Sequence, residues 1–276
     1  PETFTCADYV LVESTYGDRV HKAPEEVAEQ LAKIINETHQ AGGKVIVPSF
    51  ALERSQELLY HLNELLLAGR IPKMKVFLDS PMAIRITEVF ERHPELFDEE
   101  MRRRMRGRKS PFDFPGLEMT LSTAQSKAIN AVKGPAIIIA GSGMCTGGRI
   151  KHHLANHVTH RRDTILFVGY QATGTLGRII LEGAQEVRIL GRTLPVEARV
   201  ARINGFSAHA DRQELLAWLT AMRRPPRHVF VVHGETGSAN QFRRFLVDKT
   251  GWEVSVPAYR DRVSLNGQAA PADEAQ

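Results

Sequence analysis

The sequence predicts an α/β protein organised around a mostly parallel sheet, and three observations carry that prediction. Short β-branched runs such as YVLVE, KVIVPSF, KVFLDS, AIIIAG and TILFVGY alternate with amphipathic stretches of helical length. These runs are apolar nearly throughout instead of alternating with polar residues, as strands covered on both faces are. Several of them end in polar or glycine-rich segments, and parallel sheets bind ligands beyond the carboxyl ends of their strands.

Taken in order, YVLVE is followed by a helix from about Pro24, where proline suits the first turn, ending at the Gly42-Gly43 break. KVIVPSF leads to a helix over 51–68, and KVFLDS to a helix starting near Pro81. After a basic, proline-containing stretch at 101–117, AIIIAG leads to a helix near 147–157 and TILFVGY to a short helix near 175–182. The rhythm changes near residue 185. VRILGRTLPVEARVARIN reads as a hairpin turning at Gly191-Arg192. A helix capped by Asp211, the strand HVFVVHG, a helix over 237–249 and a short strand VSVP follow. The tail from Gly267 is expected to be disordered. The working division is an inserted parallel α/β domain at 22–182, flanking pieces at 1–21 and 183–266 that belong together, and a tail at 267–276.

Composition narrows the class. With 42% hydrophobic and 25% charged residues, the 276-residue chain reads as globular. It has no run of about 18 apolar residues that would suggest a membrane span. The opening PETFTCADYV has neither the basic region nor the apolar stretch of a signal peptide, and starts so close to a core strand that an excised piece is expected. Two cysteines, Cys6 and Cys145, are too few for a disulfide framework, which fits a reducing compartment and a cytoplasmic location. Net charge is +4, with six cations in the nine positions of MRRRMRGRK and a second group at Arg149, Lys151, Arg161 and Arg162. Such runs serve equally as phosphate-attracting patches or solvated helix faces.

The polar strand ends are ESTYGD (13–18), PSFALERSQE (48–57), LDSPMA (78–83), GSGMCTGGR (141–149) and GYQATGTLG (169–177). GSGMCTGGR can cradle a phosphate on backbone N–H groups, although it lacks the GK[ST] of a nucleotide-binding loop and also fits a ligand-free turn. His209, in GFSAHAD, and His233, ending HVFVVHGE, stand where an imidazole can ligate a metal or carry a proton. A hydrogen-bonded structural role is the alternative for each. His152, His153, His157 and His160 are read as a solvated or phosphate-facing helix end and not as a zinc site.

ESTYGD, VPSFALERSQE, LDSPMA, AGSGMCTGGR, GYQATGTLG, GFSAHAD and VHGE occur in the order seen in β-CASP proteins of the metallo-β-lactamase fold. From about residue 6 to 265 the chain resembles the RNA-cleaving enzymes of that group, bacterial and archaeal ribonucleases and the pre-mRNA 3′-end endonuclease among them. The resemblance implies a parallel α/β β-CASP domain inserted in part of a metallo-β-lactamase αββα sandwich. It further implies a two-zinc site, RNA as partner, and zinc-dependent hydrolysis of phosphodiester bonds. Glu13 and His209 match the catalytic acidic residue and histidine, and His233 matches a zinc ligand. Histidine at that last position goes with RNA substrates, while the DNA-repair branch usually has valine. Ser207, Ser142, Gly143 and Arg54 are candidates for RNA phosphates, with an ion pair of Arg54 to Glu57 or Asp79 as the other possibility.

The HxHxDH segment that supplies most zinc ligands in the group does not occur in this sequence. One histidine does not make a catalytic zinc site, so these residues alone are expected not to cleave RNA. The alternative from another class is a non-catalytic RNA-binding or scaffold subunit, against which Glu13, His209 and His233 together argue. A third reading, a small-molecule-binding α/β protein, rests on the glycine turns alone. The flanking pieces would expose apolar faces, favouring pairing with another chain, a homodimer included.

Overall fold

Ile137, Ile138 and Ile139 lie side by side in sequence and are all buried, which a strand achieves only when both faces of its sheet are covered. In the computed structural model, which describes residues 2–21, 24–99, 101–102, 110–206 and 209–265, they occupy the middle of a six-stranded sheet. The chain divides into two units, 22–207 and a discontinuous one made of 1–21 with 208–276.

The sheet of the larger unit runs β4 (Leu117–Met119), β3 (Lys75–Asp79), β5 (Ala136–Ala140), β2 (Val45–Pro48), β6 (Thr164–Phe167), β9 (Arg199–Arg202), with every neighbouring pair parallel. Alternate residues divide between two cores. Val45, Val47, Ile137, Ile139 and Leu166 pack with Leu31, Ile35, Leu58, Leu59 and Ile84. These come from α1 (Pro24–Gln40), α2 (Arg54–Leu67) and α3 (Pro81–Arg92). Ile46, Ile138, Ile165 and Phe167 face the other way onto Ile150, Leu154 and Ile180. Those belong to α5 (Ile150–His157) and α6 (Leu176–Leu181). Each fully buried aliphatic side chain stabilises by about 1.5–3 kcal/mol.

Helix starts follow local chemistry. Pro24 and Pro81 open α1 and α3, and the Ser80 hydroxyl accepts from the Ala83 N–H. β4 and the short helix α4 (Thr123–Ala128) escaped the sequence reading, although Ser122 and Gln125 form a capping box, a signal readable as S-x-x-Q.

The hairpin is shorter than the sequence suggested. It joins β7 (Glu186–Ile189) to β8 (Arg192–Pro195) through Leu190 and Gly191, both at positive φ, so the turn sits one residue earlier. The remainder of that stretch peels away as β9, whose parallel pairing with β6 carries the larger unit on to 207, beyond the expected break at 182. The tail at 267–276 lies outside the described residues, as do 103–109 of the basic run.

The smaller unit holds a parallel sheet of order β1 (Tyr9–Glu13), β10 (His228–Val232), β11 (Val254–Ser255). Val10, Val12, Val229 and Val231 pack on Leu215 and Leu219 of α7 (Arg212–Thr220) and on Phe242 and Leu246 of α8 (Thr236–Thr250). Leu11, on the opposite face of β1, is 68% exposed. Its partner Phe230 is 6% exposed, so that face is covered only in part, and a sheet with an uncovered strand protects its amides less than one covered throughout on both faces. In hydrogen exchange, β2 and β5 are therefore expected to be the slowest elements, with β1 and β10 at least tenfold faster. Equal protection of 136–140 and 228–232 would contradict this.

Candidate active site

Adjacent parallel strands deliver their carboxyl ends to the same place, and β1 and β10 do so with Glu13 opposite Val232. His233 is the next residue. It adopts φ 51°, a left-handed conformation that costs a non-glycine residue about 1 kcal/mol or more. The turn is clamped from below. The Ser14 hydroxyl donates to the Val232 carbonyl (2.9 Å), and the Ser238 hydroxyl donates to the Ser14 carbonyl (2.6 Å). Gly234 lies so close that a Cβ there would stand 2.3 Å from Ser14 Oγ and 2.7 Å from the Ser14 carbonyl oxygen.

The side chains above this turn form a connected set. Glu13 uses both carboxylate oxygens: Oε2 accepts from the Thr15 N–H (2.8 Å) and Oε1 faces His209 Nδ1 at 3.0 Å. The Thr15 hydroxyl lies 3.3 Å from His233 Nδ1 and donates to the His233 carbonyl oxygen (3.2 Å). With Nδ1–H of His233 donating to that hydroxyl, the Nε2 lone pair is the ring's ligating atom. The two imidazole centroids are 5.7 Å apart.

The segment bearing His209 is pinned at its backbone. The His21 ring N–H donates to the His209 carbonyl (2.9 Å), and the His21 backbone N–H donates to Asp211 Oδ2 (2.8 Å). Asp211 Oδ1 caps α7 by accepting from the N–H groups of Gln213 and Glu214. Burial pushes the Asp211 carboxyl up, but the N–H groups of Glu214, His21 and Gln213 outweigh it and hold the carboxyl below its usual range.

One donor atom each from Glu13, His209 and His233 lies within 4.8 Å of the other two. Two imidazoles and a carboxylate suit a borderline metal such as zinc. Because Glu13 is committed to His209 and to the Thr15 amide, His233 is the donor of the three best placed to ligate. Glu13 and His209 form a carboxylate–imidazole pair, an arrangement in which the carboxylate orients the ring and which is chemically able to carry a proton.

The remaining predicted residues lie in the larger unit or outside the described residues, as Ser207 does. The Ser142 N–H donates to the Gly147 carbonyl, and its hydroxyl accepts from the N–H groups of Thr146 and Gly147, so both serve the loop itself. Gly143 packs beneath Phe50, whose ring leaves no room for a Cβ. Arg54 is buried and paired with Glu57, whose carboxyl is pushed up by burial and only partly restored by the guanidinium.

Asp79 takes Arg149 instead of Arg54. It is fully buried and receives Arg149 Nη1 (2.7 Å), the His153 ring N–H (2.7 Å) and the Ser126 hydroxyl (2.6 Å). Burial raises its pKa, but the bonds from His153, Ser126 and Arg149 outweigh that and leave it lowered. Arg149 also reaches the carbonyls of Thr120 and Leu121, tying GSGMCTGGR to β3 and the segment after β4. The expected solvated helix end is therefore corrected: His153 and His157 are buried, because Asp79 and Asp163 lie beneath them to accept their protons. Arg149 and Arg161 likewise spend their charge on Asp79 and Glu197.

The Beta-Casp domain profile matches residues 55–180, and the profile described as a Zn-dependent metallo-hydrolase RNA specificity domain matches 193–257. Over 259 residues the chain is 41% identical to Ribonuclease TTHA0252 of Thermus thermophilus, covering 94% of this chain and 58% of that protein. It is 33% identical over 269 residues to the transcription termination factor FttA of Methanocaldococcus jannaschii, covering 93% of this chain and 42% of that one. With the FttA of Thermococcus kodakarensis the identity is 32% over 270 residues, 95% of this chain and 41% of the relative. The chain thus spans roughly half the length of these relatives.

Two substitutions test the geometry. Gly234→Ala is expected to lose about 1–3 kcal/mol in urea unfolding, because the new methyl meets the Ser14 hydroxyl and, beside it, the Ser14 backbone carbonyl, which cannot turn aside. Asp79 binds fewer protons folded than unfolded, so its contribution is present above its unfolded pKa and is lost as pH falls through the lower folded value. Asp79→Asn should therefore be less stable at neutral pH by about 3–5 kcal/mol, with the difference shrinking below about pH 4.

Proposed function

The chain belongs to the β-CASP family of metallo-β-lactamase-fold proteins, and from that membership we propose that its residues serve the zinc-dependent hydrolysis of RNA phosphodiester bonds. The observation that carries the reading is the convergence of Glu13, His209 and His233 at the carboxyl ends of β1 and β10. In this reading, residues 1–21 and 208–265 belong to the metallo-β-lactamase part, and 22–207 form the β-CASP domain.

His233 would hold one zinc of a pair through the nitrogen that Thr15 leaves available, and Thr15 and the Ser14 clamp keep the ring aimed. Bound zinc supplies an activated water and a Lewis acid for the phosphoryl oxygens. His209 is the proton carrier. Its Nδ1–H is held by Glu13, which stabilises the imidazolium so that Nε2–H can be given to the leaving oxygen or offered to the negative charge building on the non-bridging phosphoryl oxygens. His21, through the His209 carbonyl, keeps this segment from swinging away. A cytoplasmic setting belongs to this reading, supported by the small number of cysteines, Cys6 and Cys145, too few for a disulfide framework.

No HxHxDH occurs in these residues, so cleavage is assigned to a form of the protein that carries it. The test is zinc content and RNA cleavage on the 276-residue chain and on such an extended form, each also as His209→Ala. About two zincs and cleavage in the extended form alone are expected, with kcat lowered roughly 10²–10⁴-fold by the substitution. RNA binding by the extended form without metal or cleavage would instead make it a scaffold subunit.

A further inference from the structure

The chain leaves β10 through His233 and Gly234 and leaves β11 through Val256 to Arg260, and because these strands are parallel the two exits stand side by side. Between them and the first turn of α8 opens a cavity of about 640 Å³, a size typical of ligand sites. Val231 and Ala239 give it an apolar wall, while His233, Thr236, Asn240, Tyr259 and Arg260 bring polar groups. His233 thus belongs both to the cluster with Glu13 and His209 and to the wall of a space that the proposed chemistry leaves unused.

The groups around this space are of the kinds that recognise nucleotides. The Tyr259 ring is 90% exposed, and the Arg260 guanidinium carbon lies 5.3 Å from its centroid, so a planar aromatic surface and a fork of N–H donors are presented side by side. The turn that carries them is closed on itself: the Ala258 N–H donates to Asp261 Oδ2 (2.7 Å), and the Asp261 N–H donates to the Ala258 carbonyl (3.1 Å). Beyond it the Tyr9 hydroxyl donates to the Leu265 carbonyl, which returns the chain to β1. Tyr259 therefore sits on a turn tied down at both ends, and its charged neighbours Arg260 and Asp261 suit a polar ligand and not an apolar protein segment. Across the cavity the Asn240 amide nitrogen donates to the Thr236 carbonyl (2.8 Å), which leaves its carbonyl oxygen as an acceptor for a base N–H or a ribose hydroxyl.

We propose that this cavity receives one nucleotide of an RNA strand, next to the phosphate that His233 serves, with its base against Tyr259 and a phosphate oxygen on Arg260. The inference rests on the hydrolytic reading for the identity of the strand, because His233 is the residue the two share. Stacking accepts any base, so Tyr259 adds affinity for single-stranded RNA in general, and Asn240 is the group able to tell one base edge from another.

The experiment follows the fluorescence anisotropy of a short labelled single-stranded RNA, and of the same strand made of abasic nucleotides. Each is titrated with the 276-residue chain as wild type, Tyr259→Ala, Tyr259→Trp and Asn240→Ala. The Tyr259 ring is almost wholly exposed and uncharged, so Tyr259→Ala is expected to melt as wild type and to keep its electrostatic attraction to phosphates. It should bind the base-bearing strand about 5–100-fold more weakly, as the loss of one stacked base does, and the abasic strand as wild type does. Tyr259→Trp should keep wild-type affinity, and Asn240→Ala should weaken binding of the base-bearing strand. Wild-type affinity in Tyr259→Ala overturns the proposal, as does an equal loss on both strands. Unchanged binding by Asn240→Ala puts the base outside the cavity and overturns it too. No RNA binding by wild type also overturns it, while cleavage by the extended form would still uphold the hydrolytic reading, so the two fail separately.

Discussion

The parallel pairing of β1 with β10 is the constraint on which the candidate site depends. Its register sets Glu13 beside Val232 and so places His233 one residue beyond, above the same edge. A slip of one residue would turn Glu13 to the face that now holds Val12 and would bury the carboxylate against α7 and α8. The register is held twice, by the alternation of Val10 and Val12 with exposed Leu11, and by the Ser14 hydroxyl that locks onto the Val232 carbonyl. Gly234 completes the lock because no other residue lets the chain pass Ser14 so closely.

The larger unit uses a comparable device with buried carboxylates. Asp79 ends β3 and gathers Arg149, His153 and Ser126, while Asp163 opens β6 and gathers His157 and the Lys44 amide. Both histidines sit on α5, one helical turn apart, so one helix is tied to opposite ends of the sheet by two imidazole–carboxylate bonds. Breaking either pair would strand a desolvated charge, which costs more than a lost hydrogen bond between neutral groups.

The parallel fold was legible because its signal is local and strong: AIIIA and TILF can be buried only on both faces, and Pro24 and Pro81 mark helix starts. The hairpin was readable as a turn but not in extent. RVAR looks the same whether it pairs with β8 or, as it does, with β6 some 35 residues earlier, because pairing partners leave no local mark. Glu13, His209 and His233, which the structure brings together, stood out through ordered motifs and their strand ends. What sequence could not supply was which histidine meets which carboxylate. His153 and His157 are as polar in sequence as exposed His160, and only the placement of Asp79 and Asp163 beneath them makes burial affordable. Thr15 and His21 carried no type-specific signal for the same reason.

Glu13 and His209 are 196 residues apart in the chain, and the whole larger unit is threaded between them. Translation at about 5–20 residues per second therefore separates their emergence by roughly 10–40 s. Throughout that interval β1 exists without β10, the strand it pairs with, while the intervening sheet can already form. The order of synthesis thus keeps Glu13 and His209 apart until the larger unit is made, and a nascent chain holds a finished scaffold before the carboxylate can meet its imidazole.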